Sequence, residues 1–386
     1  MFKKNIKKIL LHISKFKVFY GPYISMALGK YIKNVRTPED YTERRALLIY
    51  ITLPFKNLNI NSHTNIQEAR VIADVLSDLG FVVDVMDYRN THYVEVGQYD
   101  LIMGFGDFFE SLFFQECSAF KIHYATGAPI SIHNFSEVKR IRHLNDANIE
   151  VKPVRIVDRS WPASELLSNA IISVTDGWAS GMYKQNHKMV CSVPITYLQP
   201  QKNYTFDTSI KNKKNYIWFG GFGGVHKGLD LCLEVFKNKK ELTLHVCGLN
   251  TDKEADFINQ YKDLLSLENI VWHGRLDIDK AVEIIDLCQF TILPSCSEGC
   301  ATSVLTCMAR GCIPIVTEQA GIEFRNRITI KDLSVQSVNS AVEVAQSMSN
   351  VELNSLSKES ATWCKSKHNI NIFKDKMTHI LSKLVK

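Results

Sequence analysis

Two stretches in the rear half of the chain carry residues whose types and spacing suit chemistry on a phosphorylated ligand. The first is Tyr216 to Asp230, YIWFGGFGGVHKGLD, where an apolar run ends in Gly220, Gly221, Gly223 and Gly224, ahead of Lys227 and Gly228. Glycines let backbone amides approach a ligand closely, and a lysine at a helix start adds a mobile positive charge. A diphosphate is the natural occupant, although such a turn alone is as often only a tight connection. The second stretch is Gln289 to Val316, QFTILPSCSEGCATSVLTCMARGCIPIV. Its apolar runs Phe290 to Leu293 and Ile313 to Val316 have strand length, and Val304, Leu305, Met308 and Ala309 fit one face of a short helix that Gly311 stops. Between the first strand and the helix, a turn of small polar residues holds a single carboxylate, Glu298, followed by Gly299. In such a βαβ unit ligands sit at the carboxyl ends of the strands, where the helix-start amides near Ala301, Thr302 and Ser303 favour an anion.

Short apolar strands alternate with helices along most of the chain. In the first half the strands are expected at Ala46–Leu53, Phe81–Met86, Leu101–Met103, Lys121–Tyr124, Ile171–Val174 and Val190–Val193, with helices at Thr64–Leu79 and Trp178–Lys184. Residues 199–214, with a proline and several lysines, break the pattern and read as a linker. A second alternating run then carries both chemical stretches, and the tail from Val335 reads as helices. The pattern implies α/β architecture with parallel, doubly wound sheets. The expected division is a basic arm at 1–40, a Rossmann-like acceptor domain at 41–200, a Rossmann-like donor domain at 201–365 and a terminal helix at 366–386.

The second stretch resembles the donor-sugar signature of retaining, nucleotide-sugar-dependent glycosyltransferases of the two-Rossmann (GT-B) type, the large fourth family, also called group 1. Pro294, Ser295, Glu298, Gly299, Met308, Ala309 and Gly311 stand in register with it. Gly221, Lys227 and Gly228 likewise match that family's phosphate loop. Two positions depart from the pattern. Thr306 replaces the glutamate that holds the nucleotide ribose in the family, and Phe222 replaces an arginine that serves the phosphates. The resemblance implies two Rossmann-like domains facing across a cleft and a hexose moving from a nucleoside diphosphate sugar to a glycan or lipid-linked acceptor with retention. Lys227 and the loop glycines Gly221, Gly223 and Gly224 would hold the diphosphate. Glu298 would accept hydrogen bonds from sugar hydroxyls, with Gly299, Cys300, Ala301, Thr302, Ser303 and Thr306 lining the donor. A first-domain histidine, His123 or His133, would position acceptor or sugar, and the last helix would return to the first domain. No metal or other cofactor is expected.

Composition limits the alternatives. At 386 residues, 45% hydrophobic and 22% charged, the chain is an ordinary globular protein of two domains. Its net charge of +6 is local, because residues 1 to 36 hold nine basic residues and no acid, which leaves 6 − 9 = −3 for the rest. Phe2, Ile6, Ile9, Ile13, Phe16 and Tyr20 share one helical face flanked by lysines, a pattern suited to an anionic membrane surface or to an ordinary packed first helix. No apolar run spans a bilayer and no signal peptide is read, so the expected place is the cytoplasm, peripheral at the inner face of the membrane. No nucleic-acid partner is expected. The ten cysteines lack metal or disulfide spacing and belong to a reducing compartment, and Asp277 with Asp279 reads as a helix cap, not a metal pair. Asp176-Gly177 also reads as a cap. Two rival functions remain on these residues: a sugar-nucleotide epimerase, and a non-catalytic partner of a membrane glycosyltransferase.

Overall fold

The computed structural model describes residues 26–40, 42–56, 63–200, 210–249 and 251–385. The amphipathic face of the arm and most of the linker lie outside the described residues. The first sheet contains β1 (Tyr31–Arg36), β2 (Arg45–Tyr50), β3 (Val82–Asp87), β4 (Leu101–Gly104), β5 (Phe120–Ala125), β6 (Ala170–Ser173) and β7 (Val190–Ser192) in the order β1-β3-β2-β4-β5-β6-β7. Every pairing is parallel except β1 with β3. Residues 31–36, counted with the basic arm from their charge, are therefore an edge strand. Tyr31 is buried there, and its hydroxyl meets Asp84 and Tyr99.

The second sheet contains β8 (Asn212–Gly221), β9 (Thr243–Gly248), β10 (Ile270–Gly274), β11 (Cys288–Leu293), β12 (Ile313–Val316) and β13 (Ile328–Thr329), all parallel, in the order β10-β9-β8-β11-β12-β13. Buried on both faces, its central strands are continuous apolar runs such as CQFTIL and IPIV. Strand order reverses between β8 and β11, which makes the gap beyond their carboxyl ends the switch point where such sheets bind ligands. The two chemical stretches are the loops that follow these two strands.

Helices cover the sheets and join the domains. The Ile130–Asp146 helix follows β5 but lends Ile141 and Leu144 to the core of the second domain. The last helix, Ile370–Leu384, buries Phe373, Met377 and Leu381 against Ala69, Ile72 and Leu76 of the first-domain helix Thr64–Asp78. The crossover at 193–198 is pinned to both sides. Thr196 donates from its amide and hydroxyl to Oε1 of Glu68 in the first domain, and Leu198 donates its amide to the Thr306 hydroxyl in the second. Asp277 does cap its helix, accepting from the Lys280 amide at 2.9 Å. Asp176 does not cap: its carboxylate is taken by Lys184 and by the Ser192 hydroxyl.

Candidate active site

The loop after β8 and the loop after β11 meet. Nε1 of Trp218 donates to the Lys227 carbonyl at 3.0 Å and fixes the backbone of the lysine. Gly228 then turns in the left-handed region (φ 66°), against the Pro294 carbonyl, which a Cβ would approach to 2.3 Å, so only glycine fits. The β11 loop is tied down by bonds from the Cys296 amide to the His226 carbonyl (2.9 Å), the Thr317 hydroxyl to the Ser295 carbonyl (2.6 Å) and the Glu298 amide to the Gln319 carbonyl (2.9 Å). From these fixed backbones Lys227 Nζ donates to Glu298 Oε1, which also accepts from the Ser295 hydroxyl at 3.1 Å. The pair is mostly covered, with side-chain exposures of 10% and 12%. Burial raises the Glu298 carboxyl, but the charges of Lys227, Arg155 and His226 outweigh it and hold the group at about 2.

The first domain closes the other side. Gly299 lies against it so closely that a Cβ would sit 2.6 Å from the Thr126 carbonyl oxygen. His226, fully buried, places Nδ1 2.7 Å from Glu137 of the Ile130–Asp146 helix and Nε2 2.6 Å from the Ser297 carbonyl. Arg140 of the same helix forms a buried pair with Asp230. The His133 ring lies tilted against His226, their centres 4.7 Å apart, and the Arg155 guanidinium lies 4.7 Å from the centre of the Phe222 ring. Burial, then the neighbouring charge of His226, lowers the His133 imidazole and keeps it neutral.

Several expected site residues stand elsewhere. His123 is inside the first domain, 3% exposed, with its ring against Phe109 and Tyr183, and burial lowers it to about 4; it is a neutral core histidine, and His133 is the histidine at the cleft. Thr306 is 1% exposed, and its hydroxyl donates to the Thr302 carbonyl while accepting from the Leu198 amide, so it ties down the crossover. The amides of Gly223 and Gly224 already donate to Glu254 Oε1, at 2.9 and 2.6 Å. Gly221 ends β8 with φ 72°. Cys300 and Ala301 are buried, while Thr302 and Ser303 are half-buried at a helix start that no side chain caps, which leaves amides there able to meet an anion.

Glu137, His226 and Cys296 bring a carboxylate, an imidazole and a thiol within 4.8 Å of one another. The 2.7 Å between Nδ1 and the carboxylate is a hydrogen bond. Two ligands of one tetrahedral zinc ion stay roughly 3.4 Å apart, so the trio as arranged is an ion pair beside a thiol that burial pushes well up.

Residues 200–327 match the family model described as glycosyl transferases group 1. The matched stretch takes in both loops of the site. No curated protein matches the chain. Among solved structures, a sucrose-phosphate synthase from Thermosynechococcus elongatus superposes with a TM-score of 0.61 at 10% identity, covering 90% of this chain and 99% of that one. HepE from Anabaena, in complex with UDP and glucose, gives 0.55 at 11% identity over 88% and 99%. WaaG, described as a glycosyltransferase involved in lipopolysaccharide biosynthesis, gives 0.55 at 11% over 87% and 99%. These likenesses establish the fold: the chain has the GT-B arrangement of two Rossmann-like domains. Among its described residues no helix is long and apolar enough to cross a membrane.

Proposed function

We propose that this protein is a glycosyltransferase that moves a hexose from a nucleoside diphosphate sugar to a hydroxyl of a glycan or lipid-linked acceptor, with retention, in surface polysaccharide assembly. The observation that carries the reading is the contact of Lys227 with Glu298 at the switch point, one cation and one carboxylate from two loops 71 residues apart. In the reaction the bond from the anomeric carbon to the β-phosphate oxygen breaks, and its electron pair stays with the phosphate. The acceptor oxygen bonds to the same face of that carbon, and its proton passes to the departing phosphate oxygen. Lys227 and the uncapped amides at Thr302 and Ser303 oppose the charge that develops there. Glu298, ionised throughout the physiological range, accepts hydrogen bonds from sugar hydroxyls and orients the donor.

HepE and WaaG support the donor and acceptor classes by what their descriptions name. The engagement of Gly223 and Gly224 by Glu254 favours the alternative of a non-catalytic partner, because it withdraws two amides from phosphate binding. Thermal unfolding in the presence of UDP-, ADP- and GDP-sugars separates the two. Binding at a hundred times Kd adds about 2.7 kcal/mol, so one donor class raises the midpoint and is then hydrolysed or transferred. No stabilisation by any of them would overturn the enzyme reading. The basic segment would hold the protein at an anionic inner membrane face, and deletion of residues 1 to 20 releases it from anionic vesicles; undiminished flotation with lipid would refute that part.

A further inference from the structure

Arg155 is a cation of the cleft with no ion-paired carboxylate among the described residues. It lies in the first-domain segment between the Ile130–Asp146 and Pro162–Leu167 helices, and its backbone is clamped. Its amide and that of Val154 donate to Glu137 Oε1 at 3.2 and 2.9 Å, and its carbonyl lies 2.8 Å from His133 Nε2. Its side chain crosses to the second domain and places the guanidinium 4.7 Å from the centre of the Phe222 ring. The passage exists because residue 223 is glycine: a Cβ there would stand 2.8 Å from Arg155 Cγ. Other cations there are matched, Lys227 by Glu298, Arg140 by Asp230 and His226 by Glu137. Among the described residues no carboxylate forms an ion pair with Arg155.

We propose that Arg155, reaching across from the first domain, is the second cation that grips the donor's diphosphate, so the phosphate site is complete only when the two domains are in contact. The inference rests on the donor reading above. At the site Lys227 and Arg155 stand against Glu298, and Lys253 Nζ lies 5.4 Å from the centre of the Phe222 ring. Once Glu298 turns to the sugar hydroxyls, two cations face the two negative charges of a nucleoside diphosphate sugar. A guanidinium stacked on an aromatic face keeps its planar fork of donors free for two phosphate oxygens, which lysine cannot match. Phe222, at the position where the family signature carries arginine, thus becomes the seat for an arginine delivered from the opposite domain. The depressed Glu298 carboxyl supports the placement, since Arg155 is among the charges that lower it.

Calorimetry tests this with the nucleoside diphosphate that wild type binds best and with the matching monophosphate. Arg155→Met, which keeps most of the apolar stem, is expected to weaken the diphosphate tenfold or more and the monophosphate much less. Arg155→Met with Phe222→Arg, which returns the cation to the second domain, is expected to regain most of the loss. Equal weakening of both nucleotides, or no recovery in the double variant, would make Arg155 a structural strap and overturn the inference. Unchanged diphosphate affinity in Arg155→Met alongside a loss in Lys227→Ala would overturn it while sparing the donor reading. Wild type binding no nucleoside diphosphate at all would sink the donor reading and this inference with it.

Discussion

Nδ1 of His226 lies 2.7 Å from Oε2 of Glu137, so the residue before Lys227 is held by a helix of the opposite domain. Nε2 of the same ring faces the Ser297 carbonyl at 2.6 Å, one residue before Glu298. Both nitrogens therefore face oxygens, one on each domain, and the ring couples the domain interface to the Glu298 loop. Replacing His226 with Gln, which can meet only part of this demand, leaves Glu137 buried and unpaired. A stability loss of about 3 kcal/mol in denaturant unfolding is expected, with transfer falling further than donor affinity because the Glu298 loop loses its anchor. Wild-type stability together with full turnover in the variant would refute this coupling.

The Arg140–Asp230 pair is the second ionic contact across the interface, with side-chain exposures of 4% and 2%. Burial raises the Asp230 carboxyl despite the guanidinium beside it, a sign that desolvation is not fully offset. Arg140→Met alone should cost on the order of 3 to 5 kcal/mol, because it strands a buried carboxylate. Arg140→Met with Asp230→Leu should cost clearly less than the sum of the single changes in a double-mutant cycle. Additive losses would show that the two groups do not act as a pair.

Glu68 sets a pH dependence of stability. Burial raises its carboxyl to about 7, an effect that the Thr196 hydrogen bonds reduce without cancelling. A carboxyl raised in the folded state binds more protons than in the unfolded chain. Its contribution is therefore complete below about pH 4.5 and is lost as pH rises through 7. Between those limits the change amounts to on the order of 3 kcal/mol. Unfolding free energies at pH 5 and pH 8 should differ less in Glu68→Gln than in wild type; the same difference in both would remove Glu68 as the cause.

Glu298→Gln should lower kcat by about a hundredfold, roughly 2.7 kcal/mol, while nucleoside diphosphate affinity stays within a few-fold. The reason is that the amide keeps the shape but loses the charge that meets the sugar, not the phosphates. Lys227→Ala should let the Glu298 carboxyl rise from about 2, because burial would then be opposed by fewer charges. The acid limb of the pH profile should lie at higher pH in that variant than in wild type. Full turnover in Glu298→Gln would remove the residue from the mechanism.

The parts of the site legible in the sequence are those whose signal is local. The apolar runs that became β8, β11 and β12, the glycines that turn sharply and the single carboxylate of the second loop all lie within short windows. The strand order that brings Lys227 to Glu298 follows from the βαβ rhythm of the second half. What escaped is what depends on the other domain. Nothing beside Arg155 in the chain marks it as a neighbour of Phe222, and His226 looked like any residue before a lysine until Glu137 faced it. His123 misled because a histidine near a strand end reads alike whether its side chain points to the cleft or, as here, into Phe109 and Tyr183. Residues 31–36 misled through charge: an edge strand tolerates lysine and arginine, so a basic count concealed a strand that buries Tyr31.

A crystal structure of the protein soaked with the nucleoside diphosphate sugar that stabilises it most is the direct test of the Lys227–Glu298 site. The expected density places a β-phosphate oxygen within about 3 Å of Lys227 Nζ and a sugar hydroxyl at a similar distance from the Glu298 carboxylate, with their mutual contact opened. A donor bound elsewhere, with the Lys227–Glu298 pair still closed, would contradict the account.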